Sequence, residues 1–557
     1  MVKGVFRFIT QEIDGLHAAA YIVAFLTLGS QVLAIVRDRI FATLLGPGEI
    51  LDYYYAAFKL PDVYFALFAS LFSVYVLLPL LSKKNEAGRR HMQKMVGEAC
   101  ILFTIIMGVV ALVTFLFREQ VATLLFPSFM ERETAPIFLT FFSAMLLQPL
   151  FLGISGVLAS VTQLQRQFFA YAFSPIIYNV GIIVGAFFVP TEGAIALALG
   201  VLGGALGALF FNLVVLFKGG VFPILSFPKR ELVTYLSIHA LPRALALSLS
   251  TLTFLVLTIY ATTLSLGSVT LFSFAMNVGA VPLTLIGAAY SVAAFPTLAA
   301  LYVKDELKEF VRRITDAARH VILWSSLAMV LFIVLRAHIV RVIFGTGEFS
   351  WVETRLTAAL LAVLVVSLIA QALVMLISRG YYAQGKSYLP LIFQGIGFCV
   401  TVGLASIGLA IYYSTPWMYD GLTKLLRIDG IIDTRVIVLA GAFSLGHVIT
   451  MLCAVISFSR RFPRFILPVL RVFIQSIGIS IVGGIAAYQI LALLGGIFPL
   501  TSLSSVLFQG LVAGVGGTAV FLALLFLLGN KEAGEVRAGM RSLVSKRRSL
   551  QSVGDAL

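Results

Sequence analysis

The chain has 557 residues, 60% of them hydrophobic and 12% charged, with a mean hydropathy of +1.02. A water-soluble protein of this length needs far more polar surface, which excludes soluble enzymes and soluble binding modules. The net charge of +15 is read as basic residues gathered in cytoplasmic loops, and no nucleic-acid partner is expected.

The chain starts with MVKGVFRFITQEIDG, which lacks the continuous apolar core of a cleavable signal peptide. Residues 1–15 are predicted to be an N-terminal cytoplasmic segment, suited to a short amphipathic helix on the membrane. About fourteen apolar runs follow, each able to cross a hydrocarbon core that takes roughly 20 residues. They centre near Ala24, Leu71, Ile106, Leu147, Ile177, Leu206, Thr251, Leu285, Leu327, Val365, Val400, Ala442, Ser480 and Ala519. The predicted fold class is therefore an all-α polytopic membrane protein. Several runs are long enough to require tilt or kinks.

The links between runs alternate in charge. SKKNEAGRRHMQK, between the second and third runs, is strongly basic. Later even-numbered links carry Arg166; Lys218, Lys229 and Arg230; Lys304, Lys308, Arg312 and Arg313; Arg379 and Lys386; and Arg460, Arg461 and Arg464. Most odd-numbered links, such as GPGEILD and VPTEG, are acidic or uncharged; the link after span nine, with Arg336 and Arg341, is the exception. This bias places both termini inside. The longest outside link runs from about Tyr412 to Asp433 and carries balanced charges.

Two segments echo later ones. FKLPDVYFALFASLFSVYVLLPLLS resembles FAMNVGAVPLTLIGAAYSVAAFPTLAA, and ISGVLASVTQLQRQF loosely resembles ISRGYYAQGKSYLP. Both echoes link spans six apart. The expected organisation is two pseudo-symmetric six-helix lobes, 16–217 and 218–460, then a pair of helices in 461–530 and a basic cytoplasmic tail, 531–557. Repeated halves are a common transporter plan, with the substrate path at the repeat interface.

Charges within spans are costly, roughly 2.5–3.5 kcal/mol each on insertion scales. Span one contains Arg37, Asp38 and Arg39; span two contains Lys59 and Asp62 around Pro61; span three contains Glu98; span seven contains His239 and Arg243 around Pro242. Arg37 and Lys59 both fall in outer halves and reach similar depths. Asp38 is ~100° around the helix from Arg37, so the two are expected to point apart, while Asp62 is placed to pair with Lys59. Two readings stand: charges that brace helices, and a cationic patch in a wet cavity for a phosphate-bearing substrate, where a planar guanidinium binds two oxygens at once. His239 reads as a packed or interfacial residue. Pro61, Pro175, Pro242 and Pro282 predict kinks. Gly200 with Gly204, Gly203 with Gly207, and Gly510 with Gly514 predict close helix packing. Cys100, Cys399 and Cys453 lie in apolar runs without metal-ligand spacing. Phosphate-binding loops, nucleophile elbows and zinc signatures are not found. No metal, cofactor or catalytic residue is expected, and the chain is not read as an enzyme.

SQVLAIVRDRIFATLLGPGEILDYYYAAFKLPD, FFAYAFSPIIYNVGII, LPRALALSLSTL, GSVTLFSFAMNVGAVPLTLIGAAYSVAAFPTLA, FGTGEFS and YYAQGKSYLP, in that order, resemble the MurJ (MviN) lipid II flippase family of the multidrug/oligosaccharidyl-lipid/polysaccharide exporter superfamily. The resemblance covers roughly residues 16–460. It implies two six-helix lobes around a cavity, with helices 13 and 14 forming a groove for a lipid tail. It further implies transfer of an undecaprenyl-pyrophosphate-linked peptidoglycan precursor from the inner to the outer leaflet of the bacterial plasma membrane, by alternating access with cation or potential coupling. Membrane lipids and the cell-wall synthesis machinery are its implied partners. Arg37, Asp38, Asp52, Lys59 and Arg243 are the implied substrate-binding residues. The chain departs from the family pattern at Gln31, Phe65, Ala66 and Asn277, where arginines are usual, and at Ser70, Leu71 and Leu257. Arg37, Lys59 and Arg243 would then carry a reduced form of the cationic task. The competing classes are a flippase for another lipid-linked polysaccharide, a multidrug-type antiporter, a membrane-embedded glycan polymerase and a transport-dead scaffold.

Overall fold

The computed structural model describes residues 16–72, 89–165, 167–218, 222–239, 241–498, 502–529 and Gly534. The N-terminal segment 1–15, most of the basic loop after span two, Arg166 and the tail from 531, apart from Gly534, lie outside the described residues. Within them the chain is helical, without strands.

The long helices follow the apolar runs. They are α1 (Leu16–Leu44), α2 (Glu49–Leu71), α3 (Arg89–Leu116), α4 (Ala135–Met145), α5 (Gln148–Leu164), α6 (Phe168–Phe187), α7 (Ile195–Lys218), α8 (Leu241–Thr262) and α9 (Ser268–Pro282). After a π-helical turn at Leu283–Ala288 come α10 (Ala289–Val303), α11 (Leu307–Phe344), α12 (Trp351–Val365), α13 (Leu368–Ala383), α14 (Tyr388–Ile411), α15 (Val436–Arg461), α16 (Ile466–Ile497) and α17 (Leu503–Leu527). Eleven of the described helices are long and apolar enough to cross a membrane, twelve when the bent pair α12–α13 is counted as one span. α1 and α2 stand where the first two spans are predicted; α1 carries its charges, Arg37, Asp38 and Arg39, toward its end, whereas Lys59 and Asp62 interrupt α2.

Local chemistry explains the ends and bends. α1 stops where the Leu45 and Gly46 N–H groups fold back to the Phe41 carbonyl, with Gly46 at φ +63°, a left-handed cap that suits glycine. α2 opens on Glu49 and Asp52, acids suited to a helix N-terminus. Pro282 precedes the π-helical turn, in keeping with the donor that proline removes. Arg336 and Arg341, assigned to a link from the sequence, instead lie in the last turns of α11. At 38 residues and ~1.5 Å per residue, α11 is longer than a ~30 Å core, so its ends carry charge without leaving the helix.

The chain divides into two compact units, and all but one of the boundaries between them fall within helices. The first comprises 1–278, 343–360 and 387–446; the second comprises 279–342, 361–386 and 447–557. In the first unit α6 packs on α1 and α7, α2 on α4 and α8, α8 on α14, and α5 on α3 and α7. The α6–α7 seam is made by glycines: a Cβ on Gly204 would collide with the Tyr178 backbone, and one on Gly200 with Gly185. In the second unit α10 packs on α13 and α16 on α17, and Leu323, Leu327, Ile479, Phe521 and Leu525 tie α11 to that pair. Gly510 and Gly514 fit closely against His338 and Leu335. The cysteines are unpaired, with Cys100 buried.

Candidate substrate site

The site begins with one carboxylate. Asp38 on α1 is 1% exposed, and Arg37 beside it is 14% exposed. A buried carboxylate without partners is expensive, and here four donors converge on it. Arg37 Nε and Nη2 reach Asp38 Oδ1 at 3.0 and 2.7 Å. The Tyr55 hydroxyl donates to the same oxygen at 3.1 Å, and Asn277 Nδ2 donates to Oδ2 at 2.7 Å. The expected divergence of Arg37 and Asp38 is therefore overturned. Adjacent Cβ atoms do point apart, but the long arginine stem curls the guanidinium back around the helix.

Arg37 Nη1 donates to Asn179 Oδ1 at 3.2 Å, and the Phe41 ring centroid lies 5.8 Å from its central carbon. Asn179 is held in turn, its Nδ2 donating to the Pro175 carbonyl at 2.9 Å. A helical Asn four residues after the proline thus fixes its amide with the oxygen toward the arginine. Of five guanidinium N–H groups, three are engaged by these contacts and two remain.

Tyr178, the neighbour of Asn179, lines a cavity of about 490 Å³ with Gln31, Phe65, Ser155, Ser174 and Asn212. Asn212 is fully buried and donates to Ser155 Oγ at 2.8 Å and Ser174 Oγ at 2.7 Å. Tyr178 accepts from Gln148 Nε2 at 3.4 Å and lies within electrostatic reach of Arg37. No charged side chain is among its described lining residues. Gln31 and Phe65 both face this space, so it is polar but uncharged.

The other predicted site residues separate. Asp52 is buried at the start of α9, where Oδ2 accepts from the Gly267 N–H at 2.7 Å and Oδ1 from the Thr270 N–H and hydroxyl at 2.8 and 2.6 Å. Its carboxylate caps a helix N-terminus and does not line the cavity. Lys59 and Asp62 are half-buried on α2, but the ion pair expected from their spacing does not form; i, i+3 spacing permits a pair without holding a flexible ammonium in it. The backbone of Arg243 belongs to the first turn of α8; its side chain and that of His239 lie outside the described residues. Glu98 is buried and accepts from the Ser226 hydroxyl at 3.4 Å. Asn179, Asn212 and Tyr55 were missed as site residues. A lone asparagine in an otherwise apolar span was the available signal, because a buried amide in a bilayer needs a partner.

A multi-pass bundle with a charged cluster beside a polar cavity in its spans defines an integral membrane transporter. Two solved structures share the fold. A lipid II flippase MurJ in an inward closed conformation matches with a TM-score of 0.71 at 19% identity, covering 91% of this chain and all of that one. An inward-facing multidrug resistance MATE family transporter of the MOP superfamily matches at 0.62 and 16% identity, covering 79% and 98%. The family model for lipid II flippase MurJ matches residues 41–508, and the chain belongs to that family. Among its relatives, the "Probable lipid II flippase MurJ" of Rickettsia prowazekii is 23% identical over 429 residues, 73% of this chain and 84% of the relative. The lipid II flippase MurJ of Burkholderia cenocepacia is 22% identical over 435 residues, 76% and 83% of the two chains.

Proposed function

We propose that this protein moves an undecaprenyl-pyrophosphate-linked saccharide, lipid II, from the inner to the outer leaflet of a bacterial plasma membrane by alternating access. The observation that carries the reading is the family match across residues 41–508. The process is transport, with no bond made or broken. Two lobes, 16–217 and 218–460, would rock about the substrate, helices in 461–530 would receive its tail, and both termini would face the cytoplasm beside the basic loops. The cell-wall synthesis machinery would supply and consume the cargo.

The site gives this reading a specific form. Arg37 is the cation retained beside a cavity whose described lining is uncharged. Its two remaining N–H groups suit pyrophosphate oxygens, and charge-assisted bonds of that kind are the strong ones. In the resting cluster the Asp38 carboxylate occupies the guanidinium. Pyrophosphate would compete for that partner, so Asp38 makes release as reachable as capture. The uncharged lining formed by Gln31 and Phe65 suits the saccharide, whose hydroxyls need hydrogen bonds more than charge.

Depletion of the protein in its source organism should cause lipid II to accumulate on the cytoplasmic side. Accumulation of a different lipid-linked saccharide would transfer the reading to that cargo. Arg37→Ala should abolish translocation and weaken lipid-pyrophosphate binding. Arg37→Lys should restore part of the binding, because a point charge lacks the planar fork. Unchanged binding by well-folded Arg37→Ala protein would remove Arg37 from the substrate site and leave it as a helix brace.

A further inference from the structure

The cavity beside the Asp38 cluster contains a polar group that the cluster does not use. Asn212 of α7 is fully buried, and both hydrogens of its amide nitrogen are taken by serines, Ser155 of α5 at 2.8 Å and Ser174 of α6 at 2.7 Å. Its carbonyl oxygen, Oδ1, meets no donor among the described residues. A buried carbonyl left unpaired is destabilising, and a bilayer offers no bulk water to relieve it. The serines are unfinished as well. Each accepts from Asn212, and neither hydroxyl hydrogen meets an acceptor among the described residues. Turning the amide over would give its oxygen to the serines and leave its nitrogen without an acceptor, so one end of the amide is on offer either way.

Three helices thus bring together a group that needs a donor and two hydroxyls that need acceptors. Water can serve such atoms, but a cavity of about 490 Å³ exceeds the ~30 Å³ share of one water many times over. The rest of the wall narrows the choice of occupant. Phe65, Tyr171 and Tyr178 line the same space, and no charged side chain is among its described lining residues. Aromatic faces suit the C–H face of a sugar ring. Gln31, another lining residue, lies ~9 Å along α1 from Arg37. A pyrophosphate at Arg37 would therefore place the sugar attached to it beside this wall.

Among sugar substituents, the acetamido group fits best. It carries an N–H donor for Oδ1, a carbonyl to accept from a serine hydroxyl, and a methyl for the apolar wall. A free amine on the same carbon would be an ammonium at neutral pH. It would lose its hydration here without gaining a carboxylate partner.

We infer that Asn212, Ser155 and Ser174 form the subsite that recognises the acetamido group of the sugar next to the pyrophosphate, an assignment that rests on the transport reading above. Asn212 is then a specificity-determining residue, selecting N-acetylated cargo, while Arg37 holds the pyrophosphate whatever sugar follows it.

The test uses the full chain purified in detergent, with retained lipid counted by native mass spectrometry. The probes are undecaprenyl pyrophosphate, the same lipid carrying N-acetylglucosamine, and the same lipid carrying glucosamine. The wild type should retain the N-acetyl form over the amine form by roughly tenfold, the size of one neutral hydrogen bond. Asn212→Leu should abolish that preference. Asn212→Asp should reverse it, because a carboxylate in the cavity favours the ammonium, an outcome that a merely structural asparagine would not produce. If neither variant is recovered folded, Ser174→Ala, at a half-buried position, should narrow the preference by a smaller factor. Equal retention of the two sugar lipids by the wild type, or an unaltered preference in a folded variant, overturns the inference; retention of the bare pyrophosphate lipid would then leave the transport reading standing. Failure to retain any of the three lipids overturns both.

Discussion

The α6–α7 seam and the Asp38 cluster lie in the same compact unit and share α6, yet they hold the bundle together differently. At the seam, Gly181 and Gly185 of α6 meet Gly204 and Gly200 of α7 so closely that backbone touches backbone. α6 carries no charged residue, and the attraction is dispersion over a close fit, strong only in sum. One turn away, Asn179 of the same helix joins a carboxylate, a guanidinium, a phenol and a second amide. There the attraction is strong pair by pair, and its loss leaves a bare charge. A glycine seam has one arrangement, whereas a network of exchangeable hydrogen bonds can admit a new partner. That difference suits the first to a scaffold and the second to a substrate site.

The comparison can be broken most forcefully at Asp38. Asp38→Ala should strand the Arg37 guanidinium, and removing one member of a buried pair typically costs about 3–5 kcal/mol. Folded yield and the thermal midpoint in detergent would show the loss. The double variant Asp38→Ala with Arg37→Leu should recover much of it, because an apolar pair no longer leaves a buried charge. If the single variant melted like the wild type, the cluster would not be an energetic unit.

The seam should yield less. Gly204→Ala places a Cβ against the Tyr178 carbonyl, and overpacking of this kind typically costs about 1–3 kcal/mol. Gly203→Ala is the control, since a Cβ there meets nothing within 4 Å, and its midpoint should stay at the wild-type value or rise slightly. Equal effects at the two positions would show that helix propensity, not the seam, sets the cost.

The smallest effect lies at an aqueous loop. Asp433 accepts from Arg435 at 2.8 and 3.0 Å, from the Ser265 N–H at 3.2 Å and from the Tyr413 hydroxyl at 3.3 Å. Burial pushes its pKa upward, but the Arg435 hydrogen bonds and charge outweigh this and hold it below the usual carboxylate value. A lowered folded pKa stabilises above the ordinary value and loses that contribution as pH falls through the lowered one. The midpoint should therefore fall as pH drops below the ordinary carboxylate value of about 4, by an amount equivalent to a few tenths of a kcal/mol. Asp433→Asn should flatten that part of the profile.

Much of this was legible in the sequence, and the reason is the solvent. A bilayer forces long apolar helices, so the runs around Ile106, Leu206 and Ala519 announce themselves, and Gly200 with Gly204 announces a close contact. Their partners Gly181 and Gly185 have the same four-residue spacing and were available to the same rule. The Asp38 cluster was not legible, because it depends on rotamers and on partners far along the chain. A helical wheel places Arg37 and Asp38 apart, yet three methylenes suffice to bring them together. Asn277 stood out as a departure from the family, but that its amide meets Asp38 follows only from how α9 packs. Asp52 illustrates a related limit: only the family resemblance implied it as a substrate ligand, and the donors it meets come from a neighbouring helix start that its own sequence neighbourhood does not reveal.

The π-helical turn at Leu283–Ala288 has a consequence for how this span tolerates change of length. Such a turn holds one residue more than a regular helix of the same rise. Deleting a residue from an ordinary span rotates everything downstream by ~100° and turns buried faces to lipid. Deleting one between 283 and 288 would instead let the wide turn tighten into regular helix, and Ala289–Val303 would keep its face against α13. This stretch is therefore where the span has slack to lose a codon and keep its register.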